Sequence, residues 1–186
     1  MKLLIASDIH GSALYCRHLL DAADREQPDR ILLLGDLLYH GPRNDLPDGY
    51  TPKEVISLLN DRRAQLFCVR GNCEAEVDQM VLTFPVLADY CLVELDGHLV
   101  FATHGHHASE VAPPPLQPGD VLLCGHTHIP ACRACGELVD LNPGSVSIPK
   151  AGSRRSYLLY DGGVFSWKDL SGKTYHTWRW GEPSQW

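Results

Sequence analysis

The stretch Leu3-Leu4-Ile5-Ala6-Ser7-Asp8-Ile9-His10-Gly11, followed after a gap by Ile31-Leu32-Leu33-Leu34-Gly35-Asp36, decides how the chain is read. In both, a short run of leucine and isoleucine, closed by Ala6 in the first, gives way to a polar turn carrying an aspartate. Uninterrupted apolar runs of this length fit strands buried on both faces, as in parallel sheets. The runs Leu66 to Val69, Leu99 to Ala102 and Val121 to Cys124 are of the same kind. Between the first two, Leu14, His18, Leu19, Ala22 and Ala23 follow the spacing of one helix face, and the pattern stops before Pro28. Between the second and third, Thr51-Pro52-Lys53-Glu54 predicts a capping box with proline at the first helical position, ahead of Val55, Ile56, Leu58 and Leu59. Strand, helix, strand, helix, strand is the order of an α/β core with parallel neighbours.

The second half is written differently. From about Val86 onward the pattern is mostly β, with Asp96-Gly97 reading as a tight hairpin turn and Asp161-Gly162-Gly163 and Ser171-Gly172 as further β-turns. The tryptophans at 167, 178, 180 and 186 fall near the C-terminus, and Trp178 and Trp180 alternate with Thr177 and Arg179 as on a two-faced strand. Those rings are expected to cover a sheet face, with a subunit contact, and so a homo-oligomer, as the alternative. Pro113-Pro114-Pro115 reads as a stiff surface loop within one domain spanning 1–186, whose residues 170–186 form a tryptophan-rich β tail.

Composition narrows the function classes. The 186 residues carry 16 Lys and Arg against 23 Asp and Glu, a formal charge of -7. That balance argues against holding DNA or RNA by bulk phosphate neutralisation. No apolar run is long enough to span a membrane, and no targeting signal is expected at the N-terminus. Seven cysteines, an odd number in a chain of this size, fit free thiols in a reducing cytoplasm.

The polar residues just past each apolar run carry the chemistry. The five runs lead to Asp8-Ile9-His10, to Gly35-Asp36, to Arg70-Gly71-Asn72-Cys73-Glu74, to Thr103-His104-Gly105-His106 and to Gly125-His126-Thr127-His128. In α/β sheets the carboxyl ends of strands are where sites are built. Carboxylate oxygen, amide oxygen and imidazole nitrogen together suit Mn, Fe, Zn or Co. There are too many such ligands for one ion with an open position. They match two ions sharing a carboxylate, with Asp36 as the bridge. Glycines beside Asp36, Asn72, His104 and His126 allow the backbone to turn sharply there.

This series of motifs resembles that of the calcineurin-like metallophosphoesterases. Leu34-Gly35-Asp36 with His40-Gly41-Pro42-Arg43-Asn44, Arg70-Gly71-Asn72-Cys73 with Glu76-Val77-Asp78-Gln79-Met80, and Asn142-Pro143-Gly144-Ser145-Val146-Ser147-Ile148-Pro149-Lys150 narrow the resemblance to the small bacterial YfcE-type phosphodiesterases, from Met1 to about Tyr160. The resemblance implies an α/β fold of two packed β-sheets flanked by helices. It implies one metal on Asp8, His10, Asp36 and His128 and a second on Asp36, Asn72, His104 and His126. The ions implied are Mn2+, with Zn2+, Fe2+, Co2+ or Ni2+ as alternatives. The reaction implied is hydrolysis of a small phosphodiester by a hydroxide bridging the two metals. A nuclease of the same superfamily and a non-catalytic interaction scaffold of the same fold are the competing readings.

Cys73 departs from the wider family, in which a histidine commonly follows the metal-binding asparagine and can protonate the leaving group. A thiol of ordinary pKa, about 8.5, is expected in its place. Among other groups, Arg70 and Arg43 could set a guanidinium on the phosphate, and His40 and His106 could orient ligands or touch substrate. Asp36, Asn72, His104, Arg70 and Cys73 are thus the catalytic candidates. Cys132-x-x-Cys135, on an expected hairpin, lacks a second pair and is read as incidental.

Overall fold

Leu3, Leu4, Ile5 and Ala6 are all buried, so the first strand has no solvent face. Its side chains alternate between two cores: Leu4 and Ala6 pack toward helices, Leu3 and Ile5 toward a second sheet. This is why a continuous apolar run, with no polar alternation, is the mark of the strand. The computed structural model describes residues 1–107 and 116–184. The expected Pro113-Pro114-Pro115 loop and Trp186 lie outside them.

In chain order the elements are β1 (Leu3–Ala6), α1 (Ala13–Glu26), β2 (Arg30–Leu33), α2 (Pro52–Asp61), β3 (Leu66–Cys68), α3 (Glu76–Val81), β4 (Tyr90–Leu95), β5 (His98–Thr103), β6 (Val121–Leu123), β7 (Ala131–Cys135), β8 (Leu138–Asn142), β9 (Ser156–Asp161), β10 (Val164–Asp169) and β11 (Thr174–Arg179). They build two mixed sheets. One has six strands in the order β11-β10-β9-β1-β2-β3, the other five in the order β4-β5-β6-β8-β7. The strand pairs β1–β2 and β2–β3 are parallel, as the alternating first half predicts. Asp96-Gly97 joins β4 to β5 in an antiparallel hairpin.

Helices α1 and α2 cover the outer face of the six-stranded sheet. Ser12 caps α1 by accepting the Tyr15 N–H at 3.2 Å. The capping box expected at α2 does not form. Thr51 makes no side-chain cap bond, its N–H donates to the Gly11 carbonyl at 2.8 Å, and Glu54 pairs with Arg17 on α1. A partner from another helix thus takes the carboxylate that the local pattern assigns to the cap.

The C-terminal strands complete the first sheet. β9 returns to pair antiparallel with β1, and β10 and β11 extend that edge. Trp167 and Trp178 lie in the core between the sheets, and the Trp167 indole N–H donates to the Asn142 carbonyl at 2.7 Å. Trp180 stacks on His98 with ring centroids 4.2 Å apart. These three rings cover a sheet face, the first of the two expectations for them. Cys132 and Cys135 both fall on β7, one in the core and the other exposed, so they do not converge on a common point. None of the seven cysteines forms a disulfide. Among the described residues no helix is long and apolar enough to cross a membrane.

Candidate metal centre

Just past the strand ends, the backbone takes a conformation that side chains other than glycine rarely adopt. Asp8, His10, Asp36, His126 and His128 all have positive φ, between 49° and 65°. The left-handed region costs about 1–3 kcal/mol at a non-glycine residue and persists where surrounding structure imposes it. Here much of the imposing is done by hydrogen bonds from one turn to the next. The Asp8 N–H donates to the Gly35 carbonyl at 3.1 Å, and the His10 N–H to the Asp36 carbonyl at 2.8 Å. The Ser145 and Ser147 hydroxyls both donate to the Asp8 carbonyl, at 2.9 and 3.0 Å. Glu74, buried behind the turns, accepts the N–H groups of Asp36, Leu37 and Gly71 at 2.9, 2.7 and 2.6 Å.

The side chains converge. His128 Nε2 and His10 Nε2 lie 3.2 and 3.5 Å from Asp8 Oδ1 and 3.2 Å from each other. Asp36 Oδ2 lies 3.6 Å from His10 Nε2 on one side and 3.5 Å from His104 Nε2 on the other. His104 Nε2 is in turn 3.1 Å from Asn72 Oδ1. His126 joins through its backbone N–H, which donates to Asp8 Oδ2 at 3.2 Å, and through its ring, 5.1 Å from that of His104. The seven expected ligands are therefore brought together around the carboxylates of Asp8 and Asp36.

Their outer hydrogen bonds fix how the rings point. His10 Nδ1 faces the Tyr39 carbonyl at 2.8 Å, His104 Nδ1 the Leu34 carbonyl at 2.6 Å, and His128 Nδ1 the Ile148 carbonyl at 2.9 Å. A carbonyl only accepts, so each Nδ1 donates to it and each ring turns its Nε2 inward. Inside, the Nε2 atoms of His10 and His128 face each other and Asp8 Oδ1, and His104 Nε2 faces the Asn72 amide oxygen. That arrangement asks for positive charge at the centre. The same need appears in the acid–base behaviour. Burial pulls the His104 imidazole down, but the Asp36 and Asp8 carboxylates outweigh it and raise its pKa to about 9. Burial would raise Asp8, yet His10 and His128 hold its carboxyl well below the usual range. Oxygen and imidazole donors in such a field suit divalent first-row metals, so the residues fit the expected ions.

The calcineurin-like phosphoesterase superfamily model matches residues 1–162, which include all seven of these side chains. The chain belongs to the calcineurin-like phosphoesterase superfamily. Within that superfamily it is 46% identical over 166 residues to the phosphodiesterase YfcE of Escherichia coli strain K12, covering 89% of this chain and 90% of the relative. The solved structure of that phosphoesterase superposes with a TM-score of 0.91, covering 97% of this chain and 100% of the other, at 42% identity. A phosphodiesterase of Methanocaldococcus jannaschii is 25% identical over 152 residues, 77% of this chain and 83% of its own. Vacuolar protein sorting 29 from Cryptosporidium parvum shares the fold alone, with a TM-score of 0.62 at 18% identity over 96% of this chain and 97% of its own.

The remaining candidates fall in different places around this superfamily centre. A cleft of about 480 Å³ opens over it, lined by His10, Asp36, Asn72, Cys73, His126 and His128 within and by Arg43, Asn44 and Lys150 at its rim. Cys73 donates its thiol to Asp36 Oδ2 at 3.3 Å and its N–H to Asp36 Oδ1 at 2.9 Å. Burial and the Asp36 carboxylate push the thiol pKa far above the ordinary value expected for it, so Cys73 stays a neutral donor. Arg70 does not line this cleft. Its Nε donates to the Glu74 carbonyl at 3.3 Å, and its side chain lines a smaller adjoining cavity with Asn72, Asp89, His106 and His107. Glu74 and Lys150 were not singled out in the sequence, although both lie inside stretches that the resemblance covers.

Proposed function

We propose that this chain, read as one catalytic domain over 1–186, is a dinuclear-metal phosphodiesterase acting on a small phosphodiester. The observation that carries the proposal is the position of Asp36 Oδ2, nearly equidistant from the imidazoles of His10 and His104. Asp8, His10, Asp36 and His128 would hold one ion, and Asp36, Asn72, His104 and His126 the other. Two divalent cations held there, Mn2+ in this proposal, would supply a nucleophile from water at neutral pH and would neutralise the phosphoryl oxygens. The chain's own part is positional. The carbonyls of Tyr39, Leu34 and Ile148 fix which nitrogen each imidazole presents, and Glu74 locks the Asp36 turn. Cys73 holds a proton beside Asp36 without the acidity of an imidazolium, which favours substrates whose leaving group needs little protonation. The undisulfided cysteines suit a reducing compartment, in which we place the protein.

The test is a panel of phosphate mono- and diesters assayed with Mn2+, Zn2+, Mg2+ or chelator, with Asp36→Asn alongside. Diesters should be preferred, chelator should abolish turnover and Mn2+ restore it. Asp36→Asn should lose more than about 100-fold, the upper end for changes one layer further from a metal. Turnover that survives chelator or Asp36→Asn would overturn the two-metal reading. A protein that binds no divalent ion and whose melting temperature ignores Mn2+ would be a scaffold.

A further inference from the structure

Arg43 and Lys150 stand at the rim of the cleft and are both exposed. Seven other cations, Lys2, Arg17, Arg62, Arg133, Arg154, Arg155 and Lys168, pair with a carboxylate, while others on the surface pair with none among the described residues. Arg43 and Lys150 make no ion pair with any described residue, in a chain whose formal charge is -7. Neither sits on a freely swinging segment. The Lys150 N–H donates to the His128 carbonyl at 3.2 Å, and Lys150 lies two residues past Ile148, whose carbonyl holds the His128 ring. Arg43 lies in a turn closed by Asn44, which donates through its N–H to the Gly41 carbonyl and through its amide to the His40 carbonyl. That turn begins beside Tyr39, whose carbonyl holds the His10 ring. Both cations thus ride on segments tied to the Asp8, His10 and His128 group.

Charge balance shows what they are for, and this step rests on the phosphodiesterase reading. Two divalent ions against Asp8, Asp36 and the buried Glu74 would leave a surplus of one positive charge, which a diester cancels. Arg43 and Lys150 are then left over. A cleft of about 480 Å³ is also in the range that takes drug-sized ligands, with room well beyond the reacting phosphate. We propose that Arg43 and Lys150 form a subsite for a second anionic group, a terminal phosphate, on one arm of the diester. Such a group carries about -1.5 to -2 at neutral pH, which matches the two cations. The substrate class is therefore a phosphodiester that also bears a phosphomonoester.

Binding tests this without turnover. Thymidine 5′-monophosphate and thymidine 3′,5′-bisphosphate differ only in the second phosphate, and calorimetry with the Mn2+-loaded full chain reads the ratio of their affinities. We expect the bisphosphate to bind about 10-fold more tightly, as two charge-assisted contacts at an exposed rim allow. In the Arg43→Gln, Lys150→Gln double variant that ratio should fall to near one, as it should in the wild type at high salt. A ratio near one in the wild type, or a ratio the double variant leaves intact, would overturn the proposal. So would an equal loss of affinity for both ligands in the variant, which would place the two cations on the metal-proximal phosphate. A parallel assay with the p-nitrophenyl ester of thymidine 5′-phosphate keeps the two readings apart. No turnover with the ratio preserved sinks the diesterase and leaves the subsite; turnover with a ratio of one sinks the subsite alone.

Discussion

The two sheets supply the centre with different chemistry and hold it in different ways. From the six-stranded sheet come both carboxylates, the amide of Asn72 and one imidazole; from the five-stranded sheet come His104, His126 and His128. The first side is braced from within, because Glu74 accepts three N–H groups from the turns after β2 and β3. The second side is braced both from its own sheet, where Asn142 on β8 donates to the Gly125 carbonyl at 2.7 Å, and from across the joint. His104 Nδ1 donates to Leu34 at the end of β2, and the His126 N–H to Asp8 after β1. The acidic half thus carries a buried carboxylate brace of its own, whereas two of the three imidazoles on the other side lean in part on the acidic half. Disturbing the first should damage both groups of ligands, and disturbing the second should spare more.

Two glycines put that asymmetry to the strongest test. A Cβ on Gly71 would stand 2.2 Å from Asp36 Oδ1, 2.6 Å from Asp36 N and 2.7 Å from Glu74 Oε2. All three atoms are pinned by the Glu74 brace and the Cys73 N–H. Gly71→Ala should cost about 1–3 kcal/mol of stability as overpacking, and should reduce activity more than about 100-fold by moving the shared carboxylate. A Cβ on Gly125 would meet Ser7 Oγ at 2.1 Å, a hydroxyl without a hydrogen-bond partner that is able to rotate, Ser7 Cβ at 3.0 Å and Asp8 Oδ2 only at 3.3 Å. Gly125→Ala should be the milder change in both melting temperature and metal content. Equal loss in the two variants would remove the asymmetry.

How much of this was legible beforehand depends on how local its cause is. The apolar runs and the polar turns after them announce themselves within a few residues, so five strands and all seven converging side chains could be named from the sequence. The return of β9 to β1 could not, because Leu3 and Tyr160 pair across nearly the whole chain and neither run says which sheet it joins. The α2 capping box failed for a similar reason: Arg17 competes for Glu54 from another helix. Glu74 lies two residues past Asn72, yet a single glutamate after a metal motif has no signature of burial. Its clue is available only in hindsight, in the three backbone N–H groups that two sharp turns leave in need of an acceptor. Cys73 was visible as a departure, but its raised pKa comes from burial beside Asp36, which no spacing reports.

Glu74→Gln isolates the brace with less disruption than a new Cβ. The glutamate uses one oxygen for Leu37 and the other for Asp36 and Gly71, so an amide must turn an NH2 toward at least one of these donors. A buried donor left facing a donor costs about 1–3 kcal/mol. Metal affinity, read by titrating Mn2+ into the variant, should weaken by about 10- to 100-fold, the range for partners that orient ligands. Wild-type affinity in a stably folded variant would mean that the turns hold Asp36 unaided.

The smallest effect is expected far from the joint, where the first sheet and its helix are tied by an ordinary ion pair. Glu26 at the end of α1 pairs with Lys168 on β10 and accepts the Tyr157 hydroxyl at 2.8 Å. Burial raises its carboxyl, but Lys168 and Tyr157 outweigh that and set it below its ordinary value. A depressed carboxyl stabilises the fold above its unfolded pKa, about 4.3, and the contribution disappears as pH falls through the folded value. Glu26→Gln should therefore lower the melting temperature at pH 7 by an amount equivalent to about 1 kcal/mol, and the gap to wild type should close between about pH 5 and pH 3. Mn2+ affinity at pH 7 should be unchanged, since Glu26 touches neither group of ligands. A gap that persisted at pH 3 would assign the loss to packing around the amide, and a drop in metal affinity would show that strain on this edge reaches the centre after all.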